Sequence, residues 1–134
     1  MFEISRRTAD RYFSKVVKFR DNNICVRCHH KHGLASKGLH VSHFFSRARE
    51  GTRFNLKNVD SLCYACHQLW GHGEGRPEYI KFKKTQLGEH VFQCLAEKAK
   101  KSPFKEGGKQ AYIKANDRAI IKMCRLILAG EVKL

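Results

Sequence analysis

Apolar residues recur at Ala9, Phe13, Val16 and Val17 with basic residues between them, a spacing that predicts an amphipathic helix over residues 5–20. Asp21-Asn22-Asn23 stops it. Ile24-Cys25-Val26-Arg27-Cys28, short and β-branched, reads as a strand entering a knuckle. A polar hairpin rich in His and Lys runs from His29 to Gly38. Leu39-His40-Val41-Ser42-His43-Phe44 then alternates with a period of two. Such a strand sets Leu39, Val41 and His43 on one face and His40, Ser42 and Phe44 on the other. Ser46 to Lys57 reads as a loop exposing Arg47, Arg49, Arg53 and Lys57, and Asn58 to Leu62 returns to a second knuckle. Ala65 to Trp70 opens a helix carrying His67, with Gly71, Gly73 and Gly75 ending it.

Beyond Pro77 the pattern is helical. Tyr79, Ile80, Phe82 and Leu87 mark a short amphipathic segment closed by Gly88. Val91, Phe92, Leu95, Ala96 and Ala99 mark the next. A basic run from Lys98 to Lys105 is broken by Pro103, and Gly107-Gly108 reads as a hinge. The last helix is expected from Asn116 to Ala129, with Ile120, Ile121, Met123, Cys124, Ile127 and Leu128 as its apolar residues.

These elements fit one α+β domain over residues 1–134: an N-terminal helix (1–21), a core (22–76) and a helical C-terminal extension (77–134). Composition adds a strong bias. Lys and Arg number 27 against 12 acids, a formal balance of +15 that points to a polyanionic partner and salt-sensitive association. A membrane is the other polyanion, but no long apolar run spans one. The polar start, Met1-Phe-Glu-Ile-Ser-Arg-Arg, does not read as a signal peptide, so an intracellular chain is expected.

That compartment decides how the cysteines are read. Cys25-x-x-Cys28 and Cys63-x-x-Cys66 each present a pair of sulfurs at zinc spacing, and together they make a four-cysteine structural site. Four thiolates and one zinc ion would leave the net charge near +13. Cys94 and Cys124 have no partner at metal spacing and read as core residues. His67 directly follows the fourth cysteine, so the knuckle fixes where its imidazole begins. His43 lies on the strand expected beside that helix. A neutral imidazole takes a proton from water near neutral pH, and a second one holds a metal that polarises a phosphate. His29, His30 and His32 read as hairpin residues without a catalytic role, and Trp70 as a core plug.

The series Cys25-x2-Cys28, His43, Asn58, Cys63-x2-Cys66-His67 resembles the zinc-bearing HNH endonucleases with a treble-clef, His-metal core. Lys18-Phe19-Arg20-Asp21, His40-Val-Ser-His43-Phe, Arg53-Phe54-Asn55-x-x-Asn58 and Tyr79 to Gly88 are similar to the phage NinG (Rap) recombination proteins over residues 10–95. The paired cysteines and His-x-x-His element also resemble phage endonuclease VII more distantly. The resemblance implies a β-hairpin plus helix as nuclease core, with His43 as general base. It makes His67 the ligand of a catalytic Mg2+ or Mn2+ ion and Asn58 the brace that orients the base. Many HNH enzymes carry an Asp ligand immediately before the base; here Ser42 stands there, as relatives in the NinG branch also lack the acid. His40 becomes a second metal ligand or a residue outside the ligand set, and His72 a weaker candidate. The resemblance further implies a branched DNA substrate such as a Holliday junction or D-loop, action in the bacterial host cytoplasm, and a homodimer matched to junction symmetry.

Few carboxylates are available to such a metal: between residues 22 and 73 the acids are Glu50 and Asp60. Arg47, Arg49, Arg53 and Lys57 are expected to grip phosphates. Lys81, Lys83 and Lys84, with Lys98, Lys100, Lys101 and Lys105, would extend the track. Three rivals compete with a junction nuclease: an HNH nicking or restriction-type enzyme on duplex DNA, a non-catalytic zinc-finger DNA-binding protein, and a zinc-stabilised interaction module. The last accounts for the cysteines but not for the charge or the histidines.

Overall fold

The computed structural model describes residues 2–33, 36–104 and 108–134, so Lys105 and Gly107 of the expected track and hinge lie outside it. Helix α1 (Phe2–Arg20) leads to an antiparallel hairpin of β1 (Leu39–His43) and β2 (Val59–Cys63). Four further helices follow: α2 (Tyr64–His72), α3 (Arg76–Leu87), α4 (Glu89–Lys100) and α5 (Gly108–Leu128). The architecture is α+β, with the hairpin held between two helical layers.

Register explains the layering. Val41 pairs with Ser61 and His43 with Val59, and Val41 and Val59 face α1 and α5 in a cluster with Phe13, Val16, Val17 and Cys124. His40 pairs with Leu62 and Ser42 with Asp60 on the opposite face. There Leu62 and Phe44 join Cys25, Cys66, Trp70 and Tyr79. Both faces of the hairpin are covered, which is why Val59 to Leu62 are buried without interruption.

The N-terminal helix ends where the asparagines predict. Asn22 (φ 55°) and Asn23 (φ 58°) take the left-handed conformation that short amide side chains tolerate best among residues with a Cβ. Arg20 then ties the helix end to β2, donating to the carbonyls of Leu56 (2.6 Å) and Val59 (2.8 Å), while Asp21 accepts from the Ser61 amide (3.0 Å).

Three local expectations change. Ile24 forms only a single bridge, to Lys31, because the chain turns at once into the knuckle: the Cys25 amide donates to the His30 carbonyl at 3.0 Å and the His29 amide to that of Cys25 at 2.8 Å. Gly71 lies inside α2, which runs on to His72. The last helix begins at Gly108 rather than Asn116, anchored by buried Ile113 and Asp117.

Candidate functional site

The knuckles meet. The sulfurs of Cys25, Cys28, Cys63 and Cys66 all lie within 4.8 Å of one another. A tetrahedral ion with Zn–S of ~2.3 Å needs a sulfur–sulfur edge of about 3.8 Å, and Cys28 and Cys63 are 3.8 Å apart. The electrostatics agree with the geometry. Burial pushes the Cys25 thiol up, but amide donors at Cys28, Cys63 and Arg27 outweigh it and bring it to about 7. Burial instead drives Cys66 up to about 12 against the donation from Arg27. Sulfurs this close repel one another as thiolates, and the cluster could hold a structural metal ion such as zinc to offset that charge. His29 (φ 63°) takes the sharp turn out of the first pair, a backbone role.

β1 pairs with β2 along one edge, and no strand among the described residues pairs with its other edge. An open groove of about 1540 Å³ follows that edge, lined by residues of both strand faces together with α1 and α2. His40, His43, His67 and His72 all line it. Alternation separates them as expected: His40 sits against His67 (ring centroids 5.5 Å), while His43 turns toward Phe13 of α1 (6.5 Å). His72 also lies beside His67, at 5.9 Å between ring centroids.

His43 is held in one tautomer. Its Nε2–H donates to the Arg53 carbonyl at 3.0 Å, which leaves Nδ1 with the lone pair. Burial, together with the nearby Arg47 and Arg53 charges, lowers its pKa to about 4 although that hydrogen bond and Asp10 oppose the shift. Asn58 is fully buried and clamps the loop that supplies the carbonyl. Its Oδ1 accepts from the Phe45 amide (2.8 Å), and its Nδ2 donates to the carbonyls of Phe45 (3.0 Å) and Thr52 (3.1 Å). Removing the side chain would orphan three backbone groups at once.

His67 has a different environment. Its Nδ1 is buried without a hydrogen-bond partner among the described residues. Burial first, then the neighbouring His40, His72 and Arg47, lower its pKa. His40 and His72 flank it by ring contact, but the three imidazoles do not bring their nitrogens together on one point as the four cysteine sulfurs do. Ser42 is buried, and its hydroxyl lies 3.3 Å from that of Tyr79, whose own proton goes to Asp60 at 2.7 Å.

The arginines and lysines divide. Arg47, Arg49 and Lys57 are exposed, and Arg47 lines the groove. Arg53 is a correction to the expected phosphate grip. Its guanidinium is spent on Asp10 (2.6 and 3.2 Å) and on the Arg47 carbonyl (3.0 Å), and only 13% of the side chain is exposed. Its contribution is its carbonyl, which positions His43. Lys83 is a second correction: it is buried in an ion pair with Asp60 (2.9 Å) and also donates to the Lys57 carbonyl. Cys94 is exposed rather than in the core, whereas Cys124 and Trp70 are buried as expected.

The sequence reading missed Arg11, Lys15 and Lys18 of α1, Lys37 and Arg76, all lining the groove. The i, i+4, i+7 spacing on α1 held the signal, since it sets those three cations on one face. No helix among the described residues is long and apolar enough to cross a membrane. No known protein family, curated protein or solved structure matches this chain.

Proposed function

We propose that this chain is a zinc-stabilised, metal-dependent DNA endonuclease of the HNH type, related to the phage NinG recombination proteins and selective for branched DNA. The observation that carries the reading is the fixed tautomer of His43: a neutral imidazole, locked through Nε2–H to the Arg53 carbonyl, on the wall of a basic groove. In this reading His43 Nδ1 takes a proton from water as the water oxygen attacks phosphorus and the bond to the leaving oxygen breaks. A base near pKa 4 is weak, but Arg47 is one cause of the depression. A phosphate bound to Arg47 offsets that charge and moves the base back toward neutrality. Asn58 keeps the supporting loop rigid, so the imidazole needs no reorganisation at the moment of attack.

His67, with His40 beside it at 5.5 Å between ring centroids, is the assigned holder of the divalent ion. The ion, when bound, polarises the scissile phosphate and stabilises the leaving oxygen. Among the described residues the single carboxylate lining the groove, Asp10, is committed to Arg53. Substrate oxygens and water must therefore complete the shell, so metal affinity is expected to be low until DNA binds.

Cleavage of a four-way junction, compared with a linear duplex of the same sequence in Mg2+ and Mn2+, tests the proposal. Preferential cutting of the junction, lost in His43→Ala, is the expected result. Cutting both equally would replace the branched substrate with ordinary duplex. No cutting in either metal would leave a non-catalytic DNA-binding zinc module, the reading favoured by the engagement of Ser42 with Tyr79 where many HNH enzymes place an acidic ligand.

A further inference from the structure

Arg11, Lys15 and Lys18 of α1 line the groove together with Lys37, Arg47 and Arg76, Arg11 and Lys15 also lying over the Tyr12 ring at 5.7 and 5.4 Å. Among the described residues none of the six is in an ion pair, and the one acid in the groove wall is already neutralised by Arg53. Lys18 is half-buried, and burial lowers its pKa, so an anion arriving from outside would relieve it. Arg76 is braced rather than free. Its Nη2 donates to the Phe44 carbonyl at 2.9 Å and its guanidinium lies 4.1 Å over the Phe44 ring, which fixes the charge in place.

We infer that α1, outside the hairpin and helix that would carry the chemistry, forms one wall of a DNA-strand track, with Arg11, Lys15 and Lys18 gripping successive phosphates opposite Arg47 and Arg76. The inference rests on the nuclease reading for its substrate, but its grounds are charge and shape. Seven residues of helix advance about 10 Å, the same order as the roughly 7 Å of axis that separates three successive phosphates at ~3.4 Å per step. The track passes the edge of β1 opposite β2, so a strand lying in it runs over His40 and His43 in turn. The same helix then does two things: it holds the backbone, and through Asp10 and Arg53 it steadies the base.

The test compares two triple variants that lose equal charge. One is Arg11→Gln/Lys15→Gln/Lys18→Gln; the other is Lys114→Gln/Arg118→Gln/Lys122→Gln, on exposed positions of α5 away from the groove. Binding to a duplex and to a four-way junction is measured across salt concentrations without added divalent metal. The α1 variant should lower the salt slope by two to three units, at ~0.9 per phosphate contact, and the α5 variant should leave it near the parent value. Equal falls in both would mean that net charge alone attracts DNA, and no fall in the first would remove α1 from the interface; either result overturns the inference. Zinc content and thermal melting check that each variant is folded. The double variant Lys15→Gln/Lys37→Gln, confined to exposed side chains, gives the same reading if the triple one is not folded. Cleavage is scored separately. Failure of the parent to cut would end the nuclease reading while leaving the slope result intact, and a cutting parent with an unmoved slope would end this inference alone.

Discussion

His43 and Arg53 show how a single residue's role depends on partners far along the chain. The His43 ring is half-buried and neutral, so protonating it opposes folding. Between its ordinary pKa of 6.5 and its folded value of about 4 the unfolded chain binds a proton that the folded chain does not. Stability is therefore expected to rise with pH across that window and to be lost as pH falls through it. The loss is on the order of 3 kcal/mol by the low end. Urea melts of the parent and His43→Ala at a series of pH values isolate the effect, and parallel curves would show that His43 is not held neutral. The same variant should lower cleavage by at least ~10²-fold while leaving DNA binding near normal. Arg53 reads in sequence as one more exposed cation because nothing local announces Asp10, 43 residues upstream. Asp10→Asn should loosen the Arg53 carbonyl under His43 and reduce the cleavage rate by about 10- to 10²-fold. DNA binding should not weaken, since a negative charge leaves the groove. Weaker binding with an unchanged rate would make Asp10 part of the surface rather than of the support.

At the level of elements, the sequence announces what is periodic and hides what is paired. The alternation in Leu39 to Phe44 and the paired cysteines were enough to place β1, α2 and the four-sulfur site, because each follows from local spacing. The start of α5 was not legible, since Ile113 is the one buried apolar residue before Asn116 in that helix. Asp117, a charged residue in the middle of an apolar helix face, is stable there because Arg6 reaches it at 2.7 Å and bridges on to Glu50 at 2.6 Å, while Ser5 donates to its other oxygen at 3.4 Å. Lys83 followed the same pattern. A lysine on a basic helix looks solvated, yet it enters the core to meet Asp60, which also accepts from Tyr79 at 2.7 Å. This network docks α3 onto β2. Asp60→Ala should destabilise the domain by about 3–5 kcal/mol, because it strands a buried ammonium. Asp60→Ala combined with Lys83→Met should recover most of that in a denaturant titration, and an additive loss would show that the pair is not coupled.

For the whole molecule, the question is whether the zinc site is an accessory to the fold or a condition of it. The two apolar clusters divide the labour. One joins α1, α5 and the α1-facing side of the hairpin; the other joins the opposite side to α2 and α3 and contains Cys25 and Cys66 themselves. A small domain has about 5–15 kcal/mol of net stability, whereas structural zinc sites bind with about 10–16 kcal/mol. Losing the ion therefore exceeds what the second cluster can sustain without it. Cys63→Ser, or a strong chelator, should remove zinc and unfold the hairpin, α2 and the packing of α3. Trp70 is a built-in reporter, stacked on Tyr79 at 4.5 Å inside that cluster, so its fluorescence should shift to the solvent-exposed range. Helix α1 and α5 pack mainly on each other, so far-UV circular dichroism should retain part of its helical signal. DNA cleavage should vanish with the Trp70 signal, because His43, Asn58 and His67 all hang on the hairpin and α2. A purified chain that holds no zinc, keeps Trp70 buried and resists chelation would overturn the assignment of the four cysteines.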